Sequence, residues 1–304
     1  MLAKLAAFVR LTRPTFLLGG LLLFALGALI ARYEGYPIQW PVYIVGQLLV
    51  TSLQLMTQYL NEYWDVDTDR NNPARTLFSG GSGVLPEGRL SRETAFTAAL
   101  VCLAAASGSG IWLILEYGVG PGAWALMALG FLGAYFYSSP PLRLASSGFG
   151  ELSASVVVAG LVPATGHWLQ AGRASLMVLL ATAPLVVIHF AMVVAFEYPD
   201  FLSDEAAGKQ TLMVRLGRRL GATVHNIALI LALGLGVAVT FLGLPAQVAL
   251  AVVISSPLTL LQIVNMRRLN RGEPVSYGRL TFLAVAIFSL TAYYMAFSFW
   301  VIRP

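Results

Sequence analysis

A chain of 304 residues with 58% hydrophobic and 11% charged content and a mean hydropathy of +0.75 lies far from the composition of soluble domains and reads as an integral membrane protein. The net charge of +5 comes with no nucleic-acid motif, so the basic balance is expected to reflect membrane topology and attraction to anionic lipid. One cysteine, Cys102, excludes an intramolecular disulfide and a metal site built on thiolates.

A helix needs about 20 mostly apolar residues to cross the hydrocarbon core. Windows of that kind occur near 15–32, 41–60, 94–115, 121–138, 149–170, 175–197, 222–243, 246–266 and 280–302. They are long and continuous rather than short and alternating, which favours helices over a barrel. The expected fold is therefore all-α, a polytopic membrane bundle of nine transmembrane helices in a single domain, 1–304.

The first window follows Lys4, Arg10 and Arg13 and is long for a signal-peptide core, so it is expected to stay in the protein as a crossing. The second ends in Asn61-Glu62-Tyr63-Trp64-Asp65-Val66-Asp67-Thr68-Asp69, which places four carboxylates just beyond an apolar segment. Arg70, Arg75 and the run Gly80-Gly81-Ser82-Gly83 follow; that run suits either a phosphate cradle of backbone amides or a flexible turn. The fourth closes in Tyr137-Ser138-Ser139-Pro140-Pro141-Leu142-Arg143, where proline stops the helix and Tyr137 and Ser138 can hydrogen-bond phosphate or acceptor, or anchor the interface. The sixth ends in Glu197-Tyr198-Pro199-Asp200-Phe201-Leu202-Ser203-Asp204-Glu205, followed by Lys209. His167, His189 and His225 sit singly, without metal-ligand spacing, and read as core or interface residues.

Charge orients these crossings. With the N-terminus cytoplasmic, 16 of the 19 basic residues fall inside, and only Arg32, Arg173 and Arg303 fall outside. An odd number of crossings then places the C-terminus outside, as expected for a protein of the cell (inner) membrane.

The two acidic segments align at an offset of 135 residues, with Glu62 on Glu197, Tyr63 on Tyr198, Asp65 on Asp200, Asp69 on Asp204, Thr76 on Thr211 and Leu77 on Leu212, six identities in 17 positions. An even number of crossings separates them, so both reach the same cytoplasmic face. Asn61, Asp65 and Asp69 recur every four residues and share a helix face, as do Asp200 and Asp204; Glu62 and Glu197 lie about two turns before the last acid of each row, while Asp67 points elsewhere. Two converging rows of carboxylates repel unless cations lie between them. An all-oxygen ligand set favours Mg²⁺, whose shell is completed by water and substrate phosphate. The expected metal ligands are Asn61, Glu62, Asp65, Asp69, Asp200 and Asp204, and the expected substrate carries a diphosphate. Arg13, Arg70, Arg75, Arg143 and Lys209 lie on the same face and suit its remaining oxygens.

On these motifs the whole chain resembles the UbiA superfamily of intramembrane aromatic prenyltransferases. The family's Asn-Asp-x-x-Asp-x-x-x-Asp matches Asn61, Glu62, Asp65 and Asp69, with Glu62 in place of Asp; its Asp-x-x-x-Asp matches Asp200 and Asp204, and its Tyr-x-x-Pro-Pro matches Tyr137 to Pro141. The resemblance implies Asp65, Asp69, Asp200 and Asp204 as catalytic, two Mg²⁺ ions, a polyprenyl diphosphate donor and an allylic cation attacked by an aromatic acceptor. Tyr59, Tyr63 and Tyr198 are candidates to stabilise that cation. The run from Asp204 to Gly217 is similar to the menaquinone branch, whose acceptor is 1,4-dihydroxy-2-naphthoate, whereas Asp65, Asp67 and Asp69 resemble the 4-hydroxybenzoate branch. Other aromatic acceptors and glyceryl lipids stand as alternatives. A cation-coupled secondary transporter is the reading from a different class, but its sites usually lie at the midplane. A phosphotransferase acting on nucleotide-activated lipids would concentrate its acids in one motif.

Overall fold

In the computed structural model, which describes residues 2–302, the chain is all-helical; Arg303, counted above on the outer side, lies outside the described residues. A short helix α1 (Leu2–Leu11) precedes α2 (Pro14–Tyr33), α3 (Trp40–Arg70), α4 (Arg92–Tyr117) and α5 (Pro121–Ser138). Next come α6 (Gly150–Ser155), a π-helical segment (Val156–Leu161) and α7 (Val162–Ala171), which run on as one rod. The chain ends with α8 (Leu176–Ala206), α9 (Leu212–Phe241), α10 (Ala246–Asn270) and α11 (Tyr277–Val301).

Every apolar window of the sequence falls on one of these rods. Seven of them are long and apolar enough to cross a membrane by composition alone. The other two windows lie on α3, diluted by glutamines and acids, and on the short, glycine-containing α5. The protein is a polytopic membrane bundle. Apolar side chains such as Ile227, Ile230, Val237 and Phe241 point outward from α9, as lipid-facing positions must.

Local chemistry sets the helix ends. Pro14 and Pro121 occupy first turns, where a missing N–H costs nothing. Ser91, Ser175, Thr211 and Ser276 cap N-termini by accepting backbone N–H bonds. α2 and α7 approach closely because Gly27 faces the Pro163 carbonyl and Gly166 faces that of Phe24; a Cβ on Gly27 would lie 1.9 Å from Pro163 O. At the end of this pair opposite the acidic segments, His167 Nε2 meets Glu34 Oε2 at 2.8 Å, and Ser175 Oγ donates to the other oxygen of Glu34. His167 and His225 are core residues, as expected. α3 and α8 each extend beyond their apolar windows, carrying both acidic rows out to one end of the bundle. There the segment between α3 and α4 folds back over them.

Candidate active site

A cavity of about 340 Å³ runs into the bundle from this end. Asn61, Asp65 and Asp69 of α3 face Asp200 and Asp204 of α8 across its mouth, so the structure brings the two expected half-sites together. The α-helical repeat of four does this directly: each row occupies one stripe, and the stripes point inward. Lys209, just past α8, places Nζ 3.0 Å from Asp65 and 3.4 Å from Asp204. Burial disfavours its ammonium, but Asp65 and Asp204 outweigh that effect, and the pKa rises above that of ordinary lysine.

The segment after α3 forms a roof. Asp200 accepts hydrogen bonds from Asn72 Nδ2 at 2.7 Å and from the Gly80 amide at 3.0 Å. Gly80, Gly81 and Gly83 have φ of 74°, 67° and 78°, a left-handed backbone that glycine alone adopts without strain. Gly81 also sits against Asp69, where a Cβ would lie 2.0 Å from a carboxylate oxygen. The glycine run is thus a shaped turn, with Gly80 and Gly81 lining the cavity.

The remaining expected residues divide. Arg13 lines the cavity from a left-handed position (φ 44°) and donates to the Phe78 carbonyl at 3.0 Å. Its guanidinium lies 4.4 Å from the centre of the Phe16 ring. Burial lowers its pKa from the ordinary value, against the opposing pull of Glu62, Asp69 and Asp200. Tyr137 lines the wall, and Ser138 accepts from Asn61 at 3.2 Å. Arg75 serves the roof, donating to the carbonyls of Gly80 and Asp69, both at 2.8 Å.

Arg75 and Ser138 do not line the cavity themselves, and three further expected residues lie away from it. Arg70 turns outward to Asp67 at 3.6 Å, with 59% of its side chain exposed. Arg143 stacks over Trp64 on the surface. Glu62 is only 1% exposed and lies behind the acidic row, where its carboxylate accepts from the Ser82 amide at 2.5 Å and the Ser82 hydroxyl at 2.7 Å. Its extra methylene is what lets it reach the roof.

Several lining residues were not expected from sequence. Phe16, Phe78 and Phe196 form an aromatic cluster with ring centres 5.8 to 6.3 Å apart, below the acids. Tyr59, Tyr63 and Tyr198 pack elsewhere: Tyr59 on Phe8, Tyr63 on Trp64 and Phe96, Tyr198 on Tyr277. His189 also lines the cavity, with Nδ1 3.1 Å from Ser155 Oγ. Deeper walls are apolar, with Leu49, Leu53, Met127 and Val158 among them, the last from the π-helical segment. That combination, a polar anionic mouth over an apolar shaft, suits a ligand with a charged head and a hydrocarbon tail.

The model of the UbiA prenyltransferase family matches residues 21–287. The chain belongs to this family. It is therefore an enzyme, a prenyltransferase, and the resemblance carried by the acidic motifs holds over most of its length. It is 23% identical over 218 residues to the 1,4-dihydroxy-2-naphthoate octaprenyltransferase of Bacillus subtilis (strain 168), covering 71% of this chain and 67% of that protein. It is 28% identical over 280 residues to the homogentisate phytyltransferase of Synechocystis sp., covering 88% and 86%. The solved structure of a UbiA homolog from Archaeoglobus fulgidus bound to GPP and Mg²⁺ superposes with a TM-score of 0.66 at 18% identity, covering 97% of this chain and 100% of that one. Against this UbiA fold, the donor set at the cavity mouth is all oxygen, four carboxylates and one carboxamide, which fits magnesium.

Proposed function

We propose that this enzyme moves a polyprenyl group from an allylic diphosphate to 1,4-dihydroxy-2-naphthoate, in menaquinone biosynthesis. The observation that carries the reaction class is the pair of acidic rows from α3 and α8 facing each other over an apolar shaft lined by Phe16, Phe78 and Phe196. The acceptor is supported by the similarity to the Bacillus subtilis enzyme.

In this reading Asn61, Asp65, Asp69, Asp200 and Asp204 hold two Mg²⁺ ions with water and diphosphate oxygens. Bound there, magnesium neutralises the diphosphate and makes it a better leaving group. Arg13 and Lys209 reach the phosphate oxygens, Arg13 from the α1–α2 corner and Lys209 from the opposite side. The shaft takes the isoprenoid tail and keeps water from the reacting carbon. Breaking the C1–O bond leaves positive charge on the allylic carbons just below the acids, at the level of the three phenylalanines, whose π faces attract a cation. The acceptor ring attacks C1 as the diphosphate leaves, its proton passes to the released diphosphate or to water, and Tyr137 on the wall would orient its hydroxyl.

The topology follows from the same placement. Nine crossings, a cytoplasmic N-terminus and mouth, and an outer C-terminus in the cell membrane agree with the basic residues gathered at the acidic end of the bundle. The similarity to a homogentisate phytyltransferase supports a second acceptor, homogentisate.

The test is Mg²⁺-dependent transfer from labelled polyprenyl diphosphate to dihydroxynaphthoate, homogentisate, hydroxybenzoate and glyceryl-phosphate acceptors, with Asp65→Ala and Asp200→Ala as controls. Prenylated naphthoate from the wild type alone is the expected result. Preferential prenylation of another acceptor overturns the naphthoate assignment, and the absence of both transfer and diphosphate release overturns the reaction class.

A further inference from the structure

The two half-sites are joined by a group of the chain itself. Lys209 bridges Asp65 of the first row and Asp204 of the second, at 3.0 and 3.4 Å. Asp65 Oδ2, the oxygen it meets, also accepts from Asn61 Nδ2 at 2.8 Å. Across the mouth, both oxygens of Asp200 are taken by Asn72 and the Gly80 amide. Among the described residues, no three acidic, histidine or cysteine side chains already form a cage for a metal ion. Asp65, Asp200 and Asp204 thus already have partners within the chain, and for Asp65 and Asp204 that partner is a cation.

An ammonium between two carboxylates occupies the place that a divalent cation shared by the half-sites would take, and the two positive charges cannot share it. Lys209 can leave. It is carried on a flexible four-carbon stem, its side chain is 15% exposed, and it follows Gly208, whose φ of 72° marks a turn rather than a helix. When it leaves, a diphosphate at the same mouth offers it a new anionic partner.

We propose that Lys209 is the resident counter-ion of the site: it holds Asp65 and Asp204 together in the empty enzyme, opposes entry of a divalent cation on its own, and passes to the diphosphate as the cation replaces it. The proposal rests on the reading of the acidic rows as a cation site. Metal and diphosphate then load as a coupled pair. The metal alone must evict the lysine and gives it nothing, whereas metal with diphosphate gives it a phosphate oxygen. This coupling protects against idle occupancy by metal and against binding a diphosphate that cannot react.

Mn²⁺ binding to the purified full-length protein in detergent, without diphosphate, reads this directly through the paramagnetic resonance of free Mn²⁺. Lys209→Met is expected to bind Mn²⁺ about tenfold or more tightly than wild type, within the usual range of coupling between sites. Lys209→Arg, which keeps the charge, is expected to bind like wild type. Asp65→Asn provides the control and is expected to bind more weakly. Lys209→Gln replaces the methionine variant if the latter does not elute as a monodisperse peak. Equal or weaker binding by the neutral variants, with Asp65→Asn still impaired, overturns the counter-ion role and leaves the metal site standing. Binding that is indifferent to Asp65→Asn overturns the cation site itself, and the lysine proposal with it.

Discussion

Shortening Glu62 to aspartate restores the family's residue at that position and, by the geometry of this chain, harms it. The glutamate carboxylate is buried and accepts from both the amide and the hydroxyl of Ser82, holding the glycine turn over Asp69 and Asp200. Glu62→Asp withdraws the carboxylate by one methylene, about 1.5 Å, which breaks both contacts unless the backbone follows. Two hydrogen bonds to a charged acceptor contribute about 3 kcal/mol together at the low end of their range. That is roughly a hundredfold in the ratio of closed to open roof. The roof also carries Gly80 against Asp200, so its opening uncovers the mouth. KM for the prenyl diphosphate is therefore expected to rise, and the amides of residues 79–84 to exchange hydrogen up to about a hundredfold faster. Mn²⁺ affinity in the absence of diphosphate is expected to stay near wild type, because Glu62 does not line the cavity. Exchange at the wild-type rate together with weakened Mn²⁺ binding would refute this reasoning and return Glu62 to the role of metal ligand that its place in the motif suggests.

Removing the metal with a chelator, or Asp65→Asn, is expected to cut transfer on the order of a thousandfold, since several kcal/mol of leaving-group stabilisation is lost; activity after chelation should return on adding Mg²⁺, and chelator-resistant transfer would count against the mechanism. Phe196→Leu keeps the shaft apolar but removes one π face, worth about 2 kcal/mol when desolvated, so kcat should fall roughly thirtyfold with KM for the donor little changed; an unaltered kcat would show that the ring only packs. Gly27→Ala forces a methyl against the Pro163 carbonyl and should cost about 1–3 kcal/mol, seen as a lowered unfolding midpoint in detergent, and a wild-type midpoint would mean that α2 and α7 separate freely.

The meeting of the two acidic rows at the candidate site was legible because its signals are local. Acids every four residues at the end of an apolar run specify a stripe on a helix, and the 135-residue offset pairs Asp65 with Asp200 before any fold is known. What escaped depends on tertiary placement. Phe16, Phe78 and Phe196 come from three distant segments and look like ordinary apolar residues in sequence, as most phenylalanines in membrane helices are. His189 is solitary in sequence and reaches the cavity only because α8 turns that face toward α6. The basic residues were the least legible, since a positive-inside bias alone would gather arginines at one end of a membrane bundle whatever their task. Arg13 and Lys209 point in, while Arg70 and Arg143 pair with Asp67 and Trp64 on the surface. Even the backbone does not separate them, since Arg13 inside the cavity and Arg143 on the surface both take a left-handed φ, 44° and 42°.

The internal repeat gains a sharper meaning from these contacts. Its two aspartate pairs, Asp65 with Asp200 and Asp69 with Asp204, face the cavity, as does Glu197 but not Glu62, and the glutamate pair has a second task. Glu62 accepts the Ser82 amide and Glu197 accepts the Met213 amide, so each clasps the segment that follows its own acidic row. The threonine pair acts in the same segments. Thr76 Oγ1 accepts from the amides of Phe78 and Ser79, and Thr211 Oγ1 accepts from that of Val214. Each half of the repeat is therefore a stripe of ligands plus a clasp and a turn that bring the chain back over it. The first return forms the glycine roof with Arg75, and the second carries Lys209 into the gap. A site made from two such units has its covers built in, and the residues that differ between the halves, a glycine turn in one and a lysine in the other, are the ones that divide shelter from charge.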